Sequence, residues 1–358
     1  MKIVSINVNG LRAFDEKNHG NFNKFCLDLL QADIVCLQEI KGSDGSLSKY
    51  HALEDYQTFS SFYKKGRHGV STLVRKNLFC GKCEEIMPGR ILKTCHGSFS
   101  IYNCYMPYYD ESKEEIRQKY IEAYDKLRLN LPETSVILCG DFNATYNMLD
   151  HYQFVAELNT LISVNRWQPH SELLARFEKI SFRKFGENID KSLDITPKMK
   201  EKWKLWKSIV ETADEFMDQS MKKDRVEKIN PSKVELPYHF FSLKELEDYF
   251  YEVYQRAWMK KLVDCYVDTF RLFNDGLSKY TCWNTIFNLR PANLGTRIDY
   301  ILCSKDIRCT KSGILPEIKG SDHCPVFAEF EVEPYEEDGV NLAKRKNNLL
   351  AFFKPKTS

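Results

Sequence analysis

Short apolar runs recur along the chain, each bounded by polar or turn-forming residues. Ile3 to Ile6, Ile34-Val35-Cys36-Leu37, Val70 to Val74, Phe99 to Tyr105, Val136-Ile137-Leu138-Cys139, Ile298 to Leu302 and Val326 to Val332 have the length and β-branched content of strands. Helical periods lie between them. Phe22, Phe25, Cys26, Leu29 and Leu30 form one apolar face, and Lys113 to Leu131 sets Ile116, Tyr120, Tyr124 and Leu127 on one side before Pro132 stops it. From about Tyr152 to Phe273 the strand signal gives way to a helical one. Trp203, Trp206, Val210, Ala213 and Met217 share a stripe, and Ser242 with Glu245 forms a capping box ahead of Tyr249, Phe250, Val253 and Tyr254. This aromatic stripe reads as packing against the sheet body rather than as a ligand box. Because strand signals resume after it, residues 152–273 read as an insertion within one catalytic domain, 1–335. A flexible tail, 336–358, follows.

The bulk numbers narrow the classes. A hydrophobic fraction of 43% supports a real core in a chain of 358 residues, which excludes global disorder. Lys+Arg of 52 against Asp+Glu of 50 leaves +2, so nucleic acid is not held by net charge alone. A phosphodiester substrate stays open where positive charge is local and carboxylates carry metal. Cys36, Cys104, Cys139 and Cys303 sit inside apolar runs, where a thiol acts as a small hydrophobe. The opening Met1-Lys2-Ile3-Val4-Ser5 carries no secretory pattern, and no run reaches membrane-spanning length. A reducing compartment, cytosol or nucleus, is the expectation.

Chemistry gathers at the ends of the apolar runs. Asn7 with Asn9, Gln38 with Glu39, Gly140-Asp141-Phe142-Asn143, Arg297-Ile298-Asp299-Tyr300 and Gly320-Ser321-Asp322-His323-Cys324-Pro325 each lie at or beside one. A carboxylate closing a buried strand, as Glu39 does, is solvated, paired or coordinating. It could pair with Lys41 or join Asn7 and Asp322 around Mg²⁺, which needs only one or two carboxylates because it keeps its waters. Asp141 and Asn143 stand two apart and share a face; Asp141 could take a proton from water or orient it, and Asn143 could hold the water or a phosphate oxygen. His323 suits charge growing on a phosphoryl oxygen, with Asp299 on its other ring nitrogen and Tyr105 as a further donor. Together these groups describe phosphodiester hydrolysis by a metal-activated water. No serine elbow, Walker loop or dinucleotide fingerprint competes.

The set resembles the exonuclease III class of AP endonucleases, within the wider endonuclease/exonuclease/phosphatase superfamily. The matching stretches are Ser5 to Arg12, Ala32 to Glu39, Tyr105-Met106-Pro107, Gly140 to Asn143, Arg297 to Tyr300 and Gly320 to Pro325, in family order. The resemblance implies an α+β fold, a four-layer α/β/β/α sandwich of two packed mixed β-sheets flanked by helices. It implies Mg²⁺, with Mn²⁺ as a substitute, facing Asn7, Glu39, Asp141, Asn143, Asp322 and His323. Catalytic roles fall to Tyr105, Asp141, Asn143, Asp299 and His323. Some members have Asp where this chain has Asn9.

A finer likeness points to the AP endonuclease 2 branch, through Trp258-Met259, Asp268 to Arg271, Tyr280 to Trp283 and Arg290 to Gly295. It implies DNA contacts at Arg290 and Asn288. Cys282 and Thr296 stand where the abasic-specialised branch has large aromatics, which implies 3′–5′ exonuclease and 3′-end cleaning with weaker AP-site incision. Lys346 to Phe353 resembles a sliding-clamp (PCNA) box, with Leu349, Phe352 and Phe353 as the plug and Lys346 in place of the usual Gln. The branch's C-terminal zinc module is expected to be absent. DNA is the implied partner, a monomer the implied state and the nucleus the implied place. Two rivals stay open: a superfamily phosphoesterase acting on inositol phosphate, sphingomyelin or poly(A), and an inactive clamp-binding scaffold. Cys80-Gly81-Lys82-Cys83 with Cys95-His96 lacks the order and spacing of a zinc finger and flanks strand-like runs, so zinc is set aside. Lys64 to His68 is a basic loop suited to solvent or to a DNA backbone.

Overall fold

The computed structural model describes residues 1–157, 243–274, 279–286 and 288–332, save positions 19, 65 and 111. The stripe from Trp203 to Met217, the Ser242 cap and the clamp-like tail lie outside the described residues. The described residues fall into two compact units. One holds Met1–Phe142, Asp264–Asn274 and the residues from Asp299 on; the other lies within Asn143–Val263 and Asp275–Ile298.

The first unit carries two six-stranded sheets. One contains β1 (Lys2–Asn7), β2 (Ile34–Gln38), β3 (Tyr56–Ser61), β4 (Val70–Arg75), β11 (Cys309–Ile314) and β12 (Val326–Phe330). Their order is β11-β12-β1-β2-β4-β3, with β1 and β2 parallel and the other pairs antiparallel. The other contains β5 (Cys83–Met87), β6 (Ile91–Cys95), β7 (Ser100–Tyr105), β8 (Val136–Asp141), β9 (Val267–Asp268) and β10 (Asp299–Cys303). Their order is β5-β6-β7-β8-β10-β9, with β7 and β8 parallel. Both sheets are mixed, as expected. The helical signal read through Phe273 is broken by β9, which pairs Asp268 with Leu302 of β10.

Alternation along the strands sorts side chains into layers. Ile3, Ile34, Cys36 and Val74 meet Ile101, Ile137, Cys139, Ile301 and Cys303 between the sheets. Val4, Ile6, Val35 and Leu37 turn outward onto Phe14, Phe22, Phe25 and Leu30. On the other sheet Tyr102 of β7 donates its hydroxyl to the carbonyl of Asn130, the end of the helix Glu114–Asn130, at 2.6 Å. Strands covered on both faces need apolar residues at nearly every position, which is why they read as continuous runs. Each large apolar side chain so buried contributes about 1.5–3 kcal/mol.

Leu29 departs from the expected apolar face and is 60% exposed. Phe25–Leu29 is a π-turn in which Leu30 N donates to Phe25 O, and this wider turn rotates Leu29 outward. All twelve cysteines are free thiols, and six of them are buried. No helix among the described residues is long and apolar enough to cross a membrane.

One polar clip crosses the dry layer between the sheets. Gln38 Nε2 donates to Asn103 Oδ1 at 2.8 Å, and Asn103 Nδ2 donates to the carbonyl of Ser71 at 2.9 Å. Both side chains are fully buried. Asn103→Ala leaves these buried groups without their partner, so the unfolding free energy should fall by about 2–4 kcal/mol in urea denaturation. An unchanged midpoint would mean the clip carries no stability.

The second unit has its own small core, where Phe154 meets Phe250 edge-on at 4.8 Å and Leu246 packs beside them. Phe250 and Leu246 belong to the helix Leu243–Tyr251, so its aromatic face packs internally. Asp150 and Arg297, both fully buried, form a two-pronged ion pair at 2.9 and 2.8 Å. Such pairing is what lets a guanidinium sit in the interior.

Candidate active site

Strand register assembles the site from residues far apart in sequence. Tyr105 of β7 pairs with Asp141 of β8, which pairs in turn with Asp299 of β10. In the other sheet Asn7 of β1 pairs with Gln38 of β2. Asn7 Nδ2 then donates to Asp141 Oδ2 at 2.9 Å, joining the ends of the two sheets. Gly140 makes the close approach possible. Its φ is +142°, and a β-carbon there would lie 1.8 Å from the carbonyl oxygen of Cys104.

The turn ahead of β12 brings the imidazole. Gly320 has φ +111°, and a β-carbon on it would meet the Asn18 side-chain amide at 2.6 Å. Ser321 Oγ donates to the carbonyl of Asn7 at 2.7 Å and accepts from the amide of His323 at 3.2 Å, pinning the turn to the end of β1. His323 Nδ1 lies 2.8 Å from Asp299 Oδ2, and its Nε2 lies 3.9 Å from Asp141 Oδ2. A carboxylate accepts on Nδ1, so the ring is held with a defined face and Nε2 is turned toward Asp141. Asn7, Asp141, Asp299 and His323 are all buried.

Glu39 and Asp322 form the more open edge. Lys41 Nζ is 3.0 Å from Glu39 Oε1 and also donates to the side-chain carbonyl of Asn9. Asn9 Nδ2 donates to Asp322 Oδ1 at 3.0 Å. The two acids are therefore linked through Lys41 and Asn9, and Glu39 pairs with Lys41. Asn9, Glu39, Lys41 and His68 all have left-handed backbones, with φ of 47°, 55°, 49° and 57°. Such conformations cost about 1–2 kcal/mol for each residue bearing a β-carbon. Hydrogen bonds from Gly10 N to Glu39 O at 2.8 Å and from Lys41 N to His68 O at 2.9 Å hold them in place.

Tyr105 is kept neutral. Burial raises its pKa, and the nearby Glu39 and Asp141 raise it further, so the phenol remains a donor throughout the working pH range. Arg90 lies over the Tyr105 ring at 4.5 Å and sits 3.1 Å from His68 Nε2 through Nη2. A guanidinium only donates, so His68 accepts at Nε2 and is neutral. Burial, then Arg90, lowers the His68 pKa to about 4. Sequence reading missed Arg90 and Asn103, and took His68 only as part of the basic loop Lys64 to His68. Asn103 had a signal, a polar residue inside the apolar run Ile101 to Tyr105. Arg90 had only the preceding Pro-Gly turn.

Burial also lowers His96 to about 4 and His151 to about 3. In the unfolded chain each takes up a proton near its ordinary 6.5. As pH falls from about 6.5 toward 4, the unfolded state therefore binds protons that the fold refuses, and stability drops across that window. Urea midpoints taken stepwise from neutral pH down to about 4.5 should fall steadily. His96→Gln should flatten the decline by on the order of 2 kcal/mol. A flat parent profile would contradict the assignment of neutral histidines.

The donor chemistry suits a hard cation. Ligand atoms of Asp141, Asp299 and His323 lie within 4.8 Å of one another, but the Asp299–His323 contact is spent within the pair. Asp141 supplies oxygen, the donor type that Mg²⁺ or Mn²⁺ takes, while Glu39 and Asp322, expected from the sequence as ligands, fall outside that group. Cys80, Cys83, Cys95 and His96 form no such group among the described residues. Both ring nitrogens of His96 are engaged, at 2.9 Å from Thr94 Oγ1 and 3.0 Å from the carbonyl of Phe79.

Other expected residues fall in the second unit. Asn143 opens it with φ 48°. Asn288 is exposed, and the Arg290 guanidinium lies 4.6 Å over the Trp283 ring. Cys282 and Thr296 face one another in an antiparallel bridge, each amide donating to the other's carbonyl at 2.9 Å. Leu349, Phe352 and Phe353 lie outside the described residues.

Comparison with known proteins gives the same picture. A DNA-(apurinic or apyrimidinic site) endonuclease 2 from Saccharomyces cerevisiae is 27% identical, aligned over 93% of this chain and 67% of its own length. The human protein of that name is 25% identical over 93% of this chain and 60% of its own length. The chain thus spans about 60–67% of these relatives. An exodeoxyribonuclease from Bacillus subtilis is 24% identical over 91% of this chain and 98% of its own length. The crystal structure of the Xenopus laevis APE2 catalytic domain superposes with a TM-score of 0.57 at 23% identity, covering 94% of each chain, which shows the fold. Residues 4–323 match the endonuclease/exonuclease/phosphatase family, and to that family the chain belongs.

Proposed function

We propose that the protein is a Mg²⁺-dependent DNA repair nuclease, working as a 3′–5′ exonuclease and 3′-phosphodiesterase with weaker AP-site incision. The observation that carries this reading is the buried array Asn7–Asp141 and Asp299–His323 set beside the open Glu39–Asp322 edge. Relatives named as AP endonucleases and an exodeoxyribonuclease support DNA as the substrate.

Glu39, with Asn7 and Asp322 nearby, would hold the cation, which when bound neutralises phosphate charge and acidifies water. Asp141 takes the proton of the attacking water, with Asn7 fixing its carboxylate. His323 Nε2 donates to a non-bridging phosphoryl oxygen as charge grows there, and Asp299 keeps the ring in that pose. Tyr105 donates its hydroxyl to the same phosphate, and Asn143 holds the water or a second oxygen. The new bond joins water oxygen to phosphorus, the bond to the leaving oxygen breaks, and the proton taken by Asp141 is returned, through solvent, to the leaving oxygen. By the resemblance, small Cys282 and Thr296 stand where the abasic-specialised branch has large aromatics, which supports weak AP incision. Arg290 and Asn288 are the DNA contacts on this reading.

The test incubates the chain with matched, mismatched and abasic duplexes bearing recessed 3′ ends, with Mg²⁺, with Mn²⁺ and without metal. Metal-dependent 3′ shortening, faster than AP incision, is expected. No DNA cleavage alongside turnover of inositol phosphate, sphingomyelin or poly(A) would overturn the choice of substrate. The same reading puts the protein in nuclear base excision repair as a monomer, with Leu349, Phe352 and Phe353 on the sliding clamp. Loss of clamp capture on Phe352→Ala with Phe353→Ala checks the last point.

A further inference from the structure

A protein-borne cation already lies at the edge of the acid site. Lys41 Nζ is 3.0 Å from Glu39 Oε1 and donates to the Asn9 side chain, whose amide reaches Asp322 at 3.0 Å. Glu39 and Lys41 both hold left-handed backbones, at φ 55° and 49°, and Lys41 N donates to the carbonyl of His68 at 2.9 Å. Asn9 adds no negative charge, so Glu39 is, among the described residues, the acid in direct contact with this ammonium. The Lys41 and Glu39 side chains are 36% and 21% exposed, so an ion arriving from solvent reaches the pair. Beside it opens a cavity of about 410 Å³ lined by Asn9, Arg12, Glu16 and Lys41, with room for a displaced ammonium.

We propose that Lys41 is a resident counter-ion that occupies Glu39 until a divalent cation displaces it, and that this exchange sets the metal affinity of the site. The proposal rests on the metal-dependent reading above. A divalent ion entering at Glu39 meets both a competitor for its ligand and a like charge within a few ångströms. Removing the ammonium while keeping the stem's volume lifts both penalties. For a solvent-accessible pair that amounts to about five- to tenfold in affinity.

The experiment titrates the full chain with Mn²⁺ in the absence of DNA, read by electron paramagnetic resonance and by calorimetry. Lys41→Met should bind Mn²⁺ about five- to tenfold more tightly than the parent, and Lys41→Arg should bind like the parent. Unchanged or weaker binding by Lys41→Met overturns the proposal. Binding by neither parent nor variant overturns the metal reading as well, and is distinct from an unchanged finite affinity. Should Lys41→Met fail to fold, Lys41→Gln serves as the second neutral variant. The parent chain gives an independent readout: reductive methylation of Lys41 should quicken when Mg²⁺ is added, and an unchanged rate counts against displacement.

Discussion

His323→Ala should slow cleavage of recessed 3′ ends by about 10³–10⁴-fold at saturating Mg²⁺ while the chain still folds. The imidazole is 5% exposed, and its tight partner, Asp299 at 2.8 Å, lies behind it. Its second ring nitrogen points toward Asp141, 3.9 Å away, a gap too long for a good hydrogen bond between them. On the proposed reading, a phosphoryl oxygen comes within reach of this nitrogen. Removal leaves Asp299 facing an empty space and should lower stability by about 1–3 kcal/mol, well within what a folded domain tolerates. Added imidazole should return part of the lost rate, because the cavity has the shape of the missing ring. Asp299→Asn keeps that shape but presents an amide to Nδ1, so the ring loses its fixed orientation. About a 10²-fold loss in kcat, with KM little changed, is the expected split for a positioning residue. Single-turnover kinetics separates these effects. Full activity in His323→Ala would remove this residue from the mechanism.

The seven strands legible in the sequence are all interior strands. β12, β1, β2 and β4 fill the middle of one sheet, and β7, β8 and β10 lie inside the other beside β6, an interior strand whose Lys93 and Thr94 break its apolar run. Largely buried, they are rich in apolar residues, and that pattern needs no tertiary knowledge. The edges β3, β5, β9 and β11 escaped because one side faces solvent and their residues are mixed, as in Cys83-Glu84-Glu85-Ile86-Met87. The π-turn that exposes Leu29 escaped for another reason: a 3.6-residue period cannot register one wider turn. At the site, residues closing interior strands were legible, since a polar side chain after an apolar run has few structural uses. Arg90 and His68 were not, because they reach the site from turns between strands, where charged residues are ordinary. In the sequence Lys41 is only a bland partner for Glu39. Its second contact, to Asn9 just past the end of β1, depends on the parallel pairing of β1 and β2 and is invisible to a linear reading.

Glu39→Gln should weaken Mg²⁺ binding by about 10²-fold and depress activity at ordinary Mg²⁺ by a similar or larger factor. The Glu39 side chain is 21% exposed, whereas Asn7 and Asp141 are buried. An amide oxygen keeps one lone-pair donor and loses the charge, so the cation's dehydration is no longer offset. The apo chain should be nearly indifferent. The Glu39–Lys41 pair is partly exposed, and such pairs contribute about 0–1 kcal/mol. The left-handed backbone at position 39 is no worse for Gln than for Glu. Stability should instead differ in its response to metal. A ligand at 100 times its dissociation constant stabilises by about 2.7 kcal/mol, so Mg²⁺ should raise the parent's melting temperature and barely move that of Glu39→Gln. Raising Mg²⁺ tenfold should recover part of the variant's rate, which distinguishes a lost ligand from a lost fold. Combining Glu39→Gln with Lys41→Met completes a double-mutant cycle. If Lys41 acts through Glu39, the tightening that Lys41→Met brings to the parent should vanish once the carboxylate is replaced by the amide. A variant whose melting temperature still climbs with Mg²⁺ as the parent's does would place the cation elsewhere, at the Asp141 side of the cleft.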